Sequence, residues 1–231
     1  MKYQNITSGE FISRPNRFVA LVKICDEVHT VHVKNSGRCK ELLLPGAKVY
    51  LTESTNVSRK TRFDLIAVEK NRENDKLLIN MDSQIPNDVV CEWLGKSGLF
   101  SENALIRREV TFGSSRFDVF VSDGKRNAFI EVKGVTLEND GVCLFPDAPT
   151  LRGVKHLREL ISAKESGFEA YLIFVIQMKG VSEFRPNRKM HPEFADALMD
   201  AEQAGVKILA MDCIVTEDTI QIDSEIPVRI L

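Results

Sequence analysis

Short apolar runs rich in β-branched residues occupy the first third of the chain, and turn-forming residues separate them. The runs lie at residues 18–24, 28–33, 48–51, 63–68 and 77–81. Turn chemistry falls at residues 25–27, 35–37, 44–46 and 73–75, and no helical periodicity longer than two turns intervenes. The pattern predicts five strands in a small β-barrel. A barrel of this size fits the OB-fold, and the pattern is also typical of other small β-barrels.

A polar, proline-containing segment at residues 82–87 is the predicted domain boundary, which divides the chain into residues 1–83 and 84–231. Beyond it, helical patterns alternate with strand patterns. The predicted helices lie at residues 88–96, 150–166 and 191–204, with Asn87 or Asp88 capping the first and Thr150 the second. The predicted strands lie at residues 108–112, 116–121, 128–132, 170–176 and 206–211. The fold class is therefore α/β (α+β) in two domains: an OB-like five-stranded barrel, then a mixed sheet flanked by helices.

An acidic and a basic residue share one face of the predicted strand that ends near Val132. Side chains two apart in a strand point the same way, so Glu131 and Lys133 project together while Ile130 and Val132 face the core. We expect this to expose the acid and the base. A predicted hairpin turn at residues 122–125 pairs this strand with its predecessor, which brings Asp118 alongside Glu131.

Two neighbouring carboxylates suit a divalent cation such as Mg²⁺, or Mn²⁺, because such ions bind oxygen ligands and retain coordinated water. Asp118 and Glu131 are the predicted metal ligands, and Lys133 orients the attacking water or stabilises charge on a phosphate. Glu109 is the candidate for a further acidic residue, and Glu92 competes for that role.

The Glu-x-Lys triplet alone is weak, because most such triplets lie on a solvated strand face. Its context is more specific. The spacing Asp118-(x12)-Glu131-x-Lys133 on consecutive strands, followed by a basic helix start, matches the PD-(D/E)XK nuclease pattern, although Phe117 stands where that pattern has proline. The predicted chemistry is therefore metal-dependent phosphodiester hydrolysis.

Composition excludes several classes of protein. With 43% hydrophobic residues, 28% charged residues and a net charge of -2, the chain is neither disordered nor polybasic. Residues 1–83 carry 14 basic against 10 acidic side chains, whereas residues 84–231 carry 17 against 23, so the first domain is better suited to polyanions. Five scattered cysteines and the lack of a signal peptide or a membrane-length apolar run predict a cytoplasmic protein without a membrane partner.

Long motifs in a fixed order run through nearly the whole chain. They lie at residues 33–38, 44–46, 108–110, 115–118, 131–137, 145–150 and 152–160. In these motifs the chain resembles the sugar fermentation stimulation protein A family, SfsA. The resemblance implies an N-terminal OB-like domain, a C-terminal domain similar to PD-(D/E)XK nucleases, and DNA binding without sequence preference. Val119 and Gly134 depart from residues common in the family, and neither is a predicted ligand.

The resemblance also suggests where DNA is bound. Asn35, Ser36, Gly37 and Arg38 form a polar turn of the barrel, in which Gly37 allows a close approach and Arg38 and Lys40 meet phosphate. The start of the helix capped by Thr150 offers unpaired N–H groups beside basic side chains, although a lone histidine there is more often structural. The predicted DNA-binding residues are Arg17, Arg38, Arg116, Arg152, Lys155 and His156.

Two functions remain open from the sequence. The first is a nuclease that binds DNA without sequence preference and cleaves it with Mg²⁺ through Asp118, Glu131, Lys133 and Glu109. The second, whose link to sugar (maltose) metabolism comes only from the family resemblance, is a DNA-binding regulatory protein that has no turnover. Retention of both carboxylates and the lysine favours the first, because a pure binder gains nothing from carboxylates that face phosphates unless a cation neutralises them.

Overall fold

An N-terminal barrel is built from the first five strands of the chain. A computed structural model of the protein describes residues 1–35, 37–54, 58–73, 75–124 and 126–230. The N-terminal strands are β1 (Ile6–Asn16), β2 (Val19–Ile24), β3 (Glu27–Val33), β4 (Lys48–Glu53), β5 (Phe63–Asn71) and β6 (Lys76–Asn80). Strand β1 pairs antiparallel with both β2 and β4, and β3 pairs in parallel with β5. These pairings close β1 to β5 into a barrel, which confirms the predicted OB-like domain.

The barrel has five strands as predicted, but it contains β1 instead of the predicted strand at residues 77–81, which is β6. Strand β1 was not predicted, whereas β6 pairs antiparallel with the second half of β5 and extends the sheet beyond the barrel. The reason is that β1 is mostly half-buried and contains Gly9 and Pro15, so it lacks an apolar run. A β-carbon on Gly9 would lie 2.6 Å from Cγ1 of Val22, so glycine permits the close crossing of β1 over β2.

The C-terminal domain is a six-stranded mixed sheet with helices on both faces. Its elements are α1 (Ile85–Leu94), β7 (Leu105–Phe112), β8 (Ser115–Ser122), β9 (Asn127–Val135), β10 (Glu138–Asn139), β11 (Val142–Phe145), α2 (Leu151–Glu165), β12 (Glu169–Ile176), β13 (Glu183–Pro186), α3 (Pro192–Gln203), β14 (Lys207–Val215) and β15 (Ile220–Ile226). The main sheet has the order β15-β14-β12-β9-β8-β7, and β10, β11 and β13 form a smaller sheet. The predicted mixed sheet with flanking helices is confirmed.

Apolar periodicity places the helices on opposite faces of the sheet. Helix α1 packs with Val119, Val121 and Ile130, whereas α2 and α3 pack on the face that contains Phe117 and Phe129. Among the described residues no helix has both the length and the apolar character needed to cross a membrane.

Helix α1 begins earlier than predicted. Its N-cap is Gln84, so the helix starts three residues before the predicted residue 88, and Pro86 lies in its first turn. Proline is favoured there because the first-turn N–H groups lack helical acceptors. Helix α2 agrees with the prediction, because the Thr150 side chain accepts a hydrogen bond from the Gly153 N–H at 3.0 Å.

The two domains share one apolar core and a polar interface. The cluster of buried side chains runs continuously from Phe11 in the barrel to Phe194 in α3. At the interface the Gln177 amide donates to Oδ1 of Asn80 and to the Asp82 carbonyl, each at 3.0 Å. These contacts fix the barrel against the mixed sheet. The predicted division between residues 83 and 84 falls between β6 and α1, and it stays a prediction.

A buried ion pair across this interface supplies a test. Nζ of Lys70 in β5 lies 2.6 Å from Oε2 of Glu138 in β10, and the Glu138 side chain is 1% exposed. We expect Lys70→Met to lower the free energy of unfolding by about 3 kcal/mol, because it leaves a buried carboxylate without its main cation. Urea denaturation at pH 7 measures this change.

The control for that experiment is Arg188→Met, which removes an exposed pair between Arg188 and Asp196. It is expected to change the free energy of unfolding by less than about 1 kcal/mol. Equal effects of the two substitutions would show that the buried pair does not hold the domains together.

Candidate active site and DNA-contacting surface

The candidate site lies where strands β8 and β9 stop pairing. Their antiparallel register runs from Ser122↔Asn127 to Val119↔Ile130, so the next pair would be Asp118 with Glu131. The ladder ends there because Oδ2 of Asp118 accepts the Val132 N–H at 2.8 Å. The hairpin thus brings the two predicted metal ligands side by side. Lys125, in its predicted turn, lies outside the described residues.

Asp118 is a half-buried carboxylate held from both oxygens. Oδ1 accepts a hydrogen bond from the side-chain amide of Asn87 in α1 at 2.9 Å, while Oδ2 accepts from Val132. Asn87 was considered only as a helix cap from the sequence. Because α1 begins at Ile85 instead, Asn87 lies within the helix and its amide points to Asp118.

Glu131 is 2% exposed, which differs from the exposed acid that strand alternation predicted. Strand β9 is an interior strand between β8 and β12, and helices cover both faces of the sheet. Nζ of Lys133 donates to Oε1 of Glu131 at 2.5 Å, and Nδ1 of His156 in α2 bonds to the same oxygen. Within the described part of the chain, Oε2 of Glu131 is buried and has no hydrogen-bond partner.

The two carboxyl groups have opposite pKa shifts. Burial raises the pKa of Asp118, and the charge of Glu131 raises it further. Burial also acts to raise the pKa of Glu131, but the hydrogen bonds from His156 and Lys133 and the charge of Lys133 outweigh burial and hold that pKa below its usual range. The site therefore favours ionised Glu131 and resists a second negative charge on Asp118.

These features fit a divalent cation. A buried carboxylate oxygen without a donor, beside a second carboxylate whose charge is disfavoured, is a place where a cation lowers the free energy of both groups. The donors are oxygens, which suit Mg²⁺, Mn²⁺ or Ca²⁺. Among the residues that the structure describes, no three His, Cys, Asp or Glu side chains are grouped to hold a metal ion. A cation here would be completed by water and substrate oxygens.

Glu109, the predicted further acid, lies on β7 opposite Asp118. The register of β7 with β8 passes from Arg108↔Val119 to Val110↔Phe117 and omits Glu109, which has a φ of 58°. Its carboxylate lies 2.8 Å from the guanidinium of Arg116, and both side chains are exposed. Glu109 is therefore near the site but directed to Arg116. The competing candidate, Glu92, pairs at 2.8 Å with the N-terminal amine.

The basic residues of α2 divide into two groups. Lys155 is exposed, as predicted, and its ammonium donates to the Ser114 carbonyl at 2.9 Å in the β7–β8 turn. His156 was predicted to contact DNA, but its side chain is 8% exposed and lies under Glu131. Arg152 is exposed, and its Nε–H donates to Nε2 of His156 at 3.3 Å. His156 is therefore not part of the exposed surface of α2.

A second basic surface lies on the barrel around the loop that follows β3. Arg17, Arg38 and Lys40 are exposed there. Arg14 organises the loop, because its guanidinium donates to the carbonyls of Asn35, Gly37, Arg38 and Arg17 at 2.6 to 2.8 Å. The sequence patterns did not indicate Arg14, since nothing local marks an arginine that binds distant carbonyls. Ser36, in the same predicted turn, lies outside the described residues.

Two further features of this loop were not expected. The Phe18 side chain is 48% exposed, and the Arg17 guanidinium lies 4.8 Å from the centre of its ring. A β-carbon on Gly37 would lie 2.6 Å from Oδ2 of Asp147, so Gly37 permits close packing against the C-terminal domain. The loop is thus joined to the segment that leads into α2.

The protein thus belongs to a two-domain class in which an OB domain precedes a mixed sheet with helices on both faces. A family model described as "Sugar fermentation stimulation protein RE domain" matches residues 84–219, and one described as "SfsA N-terminal OB domain" matches residues 12–79. The chain belongs to the sugar fermentation stimulation protein (SfsA) family, which confirms the resemblance seen in its motifs.

Relatives of the same description match along their whole length. The chain is 55% identical to a sugar fermentation stimulation protein homolog of Desulfitobacterium hafniense (strain Y51), covering 100% of this chain and 99% of that protein. It is 52% identical to the homolog of Ruminiclostridium cellulolyticum, covering 100% of both chains. Among solved structures, Pyrococcus furiosus SfsA in complex with Ca²⁺ matches with a TM-score of 0.87 at 29% identity, over 99% of this chain and 98% of that one.

The opposite pKa shifts of the two carboxyl groups give a test without metal. A carboxyl whose folded pKa is raised costs stability above its unfolded pKa, whereas one whose folded pKa is lowered contributes stability there and loses it as the pH falls through the folded value. At pH 7 in EDTA we expect Asp118→Asn to raise the melting temperature and Glu131→Gln to lower it, each by about 2 to 4 °C.

Differential scanning calorimetry measures both changes. The Asp118→Asn effect should shrink as the pH falls toward the ordinary carboxyl pKa, whereas the Glu131→Gln effect should shrink only below it. The isosteric replacements preserve the shape of the site, and the Asn87 amide can rotate to accept from an asparagine at position 118. A shift of the same sign in both variants would contradict the charge arrangement described above.

Proposed function

We propose that this protein binds DNA without sequence preference and hydrolyses its phosphodiester bonds with a divalent cation, Mg²⁺ or Mn²⁺, held by Asp118 and Glu131. The observation that supports this most is the buried Oε2 of Glu131, which has no donor in the described part of the chain and lies beside a second carboxylate. A nuclease needs such oxygens, because the cation must bind protein and phosphate together.

Each residue of the site has a distinct task in this proposal. Glu131 and Asp118 hold the cation, which when bound supplies charge neutralisation for the phosphate and an acidified water. Lys133 is half-buried and bonded to Glu131, so its ammonium stays beside the cation site and is available to a phosphate oxygen. Asn87 and the Val132 N–H fix the orientation of Asp118.

The solved relative supports the choice of a divalent cation. Pyrococcus furiosus SfsA is described in complex with Ca²⁺. Ca²⁺ and Mg²⁺ both bind oxygen ligands, although Mg²⁺ demands a smaller and more regular shell. We therefore expect Ca²⁺, like Mg²⁺, to bind Asp118 and Glu131 in this chain.

The DNA-binding part of the proposal rests on the barrel loop and on the exposed Lys155 of α2. Arg17, Arg38 and Lys40 present exposed cations around a loop that Arg14 keeps in shape. The exposed ring of Phe18 offers a surface on which a base can stack. Contacts of this kind are made to phosphates and ring faces, so they do not select a sequence.

A second candidate function is DNA binding without turnover, in a regulatory role in sugar (maltose) metabolism. One observation favours it: only two carboxylates meet at the site among the described residues, and Glu109 is directed to Arg116 instead. The first function is favoured over it because burial and the charge of Glu131 both disfavour a negative charge on Asp118. A protein that binds DNA without a cation gains nothing from this second carboxylate.

Cleavage is tested with purified protein, plasmid DNA, single-stranded DNA, and Mg²⁺ or Mn²⁺. We expect metal-dependent cleavage that Glu131→Gln, Asp118→Asn and Lys133→Met each reduce by about 10³-fold, because these residues act as one unit. The matched control is Asp196→Asn, an exposed carboxylate of α3, which should cleave at the normal rate. Binding without cleavage of either substrate under all metal conditions would replace the nuclease by the second candidate function.

Binding is tested by fluorescence anisotropy of a labelled duplex in Ca²⁺ at increasing salt concentrations. Affinity should fall steeply with salt, because phosphate contacts release counterions. The double variant Arg17→Ala, Arg38→Ala should reduce the slope of log affinity against log salt by about 2. The control Arg188→Ala, on the opposite domain, should leave the slope unchanged, and an unchanged slope in the double variant would exclude the barrel loop from DNA binding.

A further inference from the structure

We propose that Arg152 and His156 of α2 are positioning residues that hold Glu131 with Oε2 directed to the cation. This inference rests on the proposed metal site and assigns the two residues a role other than contact with DNA. Oε1 of Glu131 is bonded to both His156 and Lys133, whereas Oε2 has no partner among the described residues. A carboxylate with one saturated oxygen presents only the other to a ligand.

Helix geometry brings Arg152 and His156 together. They are four residues apart on α2, so their side chains lie on one face one turn apart. The Thr150 cap fixes the start of the helix just before them, through its hydrogen bond with the Gly153 N–H. The cap therefore determines the position of His156 relative to Glu131.

The hydrogen bonds define the tautomer of His156. An arginine N–H can only donate, so Nε2 of His156 must accept from Arg152. A neutral ring that accepts at Nε2 carries its proton on Nδ1, and that N–H donates to Oε1 of Glu131. Both neighbours thus require the same tautomer, because the guanidinium can only donate to Nε2 and the ionised Glu131 carboxylate can only accept from Nδ1.

Packing holds the ring in place. The His156 side chain is 8% exposed, and the ring of Phe117 meets it edge-on with 6.4 Å between centres. Phe117 directly precedes Asp118, so the same strand that delivers one carboxylate supports the histidine that orients the other. In many metal sites, residues that do not touch the metal hold its ligands in place and are needed for metal affinity. His156 and Arg152 have this position relative to Glu131.

Mn²⁺ affinity of the full chain, measured by isothermal titration calorimetry, tests the role of His156. We expect His156→Ala to weaken Mn²⁺ binding by 10- to 100-fold, in the range of substitutions that remove the partner of a metal ligand. His156→Asn keeps an N–H near the position of Nδ1 and should restore most of the affinity. Equal affinity of the wild type and His156→Ala, with loss in Glu131→Gln, would overturn the inference and leave the proposed metal site intact.

The tautomer is a second readout, which does not need metal. With four histidines in the chain, long-range ¹H–¹⁵N correlation spectra, assigned with His156→Asn, should show the proton of His156 on Nδ1. Arg152→Met should move the ¹⁵N shift of Nε2, because that nitrogen loses its donor, while Arg158→Met, an exposed arginine on the same helix, should not. A His156 proton on Nε2 in the wild type would overturn the inference. This result does not depend on metal binding, so it can be told apart from a failure of the proposed function, which would show as a wild type that binds no Mn²⁺.

Discussion

The arrangement of the C-terminal domain depends on one buried charge, the carboxylate of Glu131. Placing a carboxylate on an interior strand between two helix-covered faces costs free energy unless charges and donors surround it. Lys133 from the same strand and His156 from α2 supply them, and both act on Oε1. The consequence is an asymmetric group, in which one oxygen is satisfied by the fold and the other has no hydrogen-bond partner among the described residues.

The same constraint explains the elements around the site. Strands β8 and β9 separate at Asp118, because this carboxylate takes the N–H of Val132 that the ladder would otherwise use. Helix α1 delivers Asn87 to Asp118, and the cap of α2 places His156 against Glu131. Two carboxylates with opposed pKa shifts follow from these contacts, since donors surround Glu131, whereas Asp118 loses solvent by burial and lies beside a neighbour of like charge.

The barrel packs directly against the domain that carries the site. The apolar core is continuous between the domains, and the ion pair of Lys70 with Glu138 closes their interface. The loop that Arg14 organises packs through Gly37 on Asp147, a few residues before α2 begins. In the proposed function a DNA strand that contacts Arg17 and Arg38 is thereby held at a fixed position relative to the carboxylate pair.

Local patterns in the sequence predicted the features that depend on local chemistry. The cap at Thr150, the buried strand that became β12, and the juxtaposition of Asp118 and Glu131 all follow from side-chain spacing. The patterns missed β1 because its residues are half-buried, and β15 because its apolar residues are spread between exposed ones.

Features that join distant parts of the chain had no local signal. The burial of Glu131 depends on a helix that begins 20 residues later, and the role of Arg14 depends on carbonyls 21 to 24 residues away. An E-x-K triplet does not indicate whether its strand lies at the edge or in the interior of the sheet, so it could not predict that Glu131 is buried. The family resemblance predicted the fold, whereas the hydrogen bonds of Asp118 and Glu131 are evident only from the three-dimensional structure.

In the proposed function, Asp118 and the free oxygen of Glu131 hold a divalent cation. Anomalous diffraction from crystals grown with Mn²⁺ locates the ion directly. We expect a peak bound by Asp118 and by Oε2 of Glu131, with Lys133 and His156 still on Oε1. A peak at other residues, or none at a Mn²⁺ concentration that supports DNA cleavage, would exclude this site.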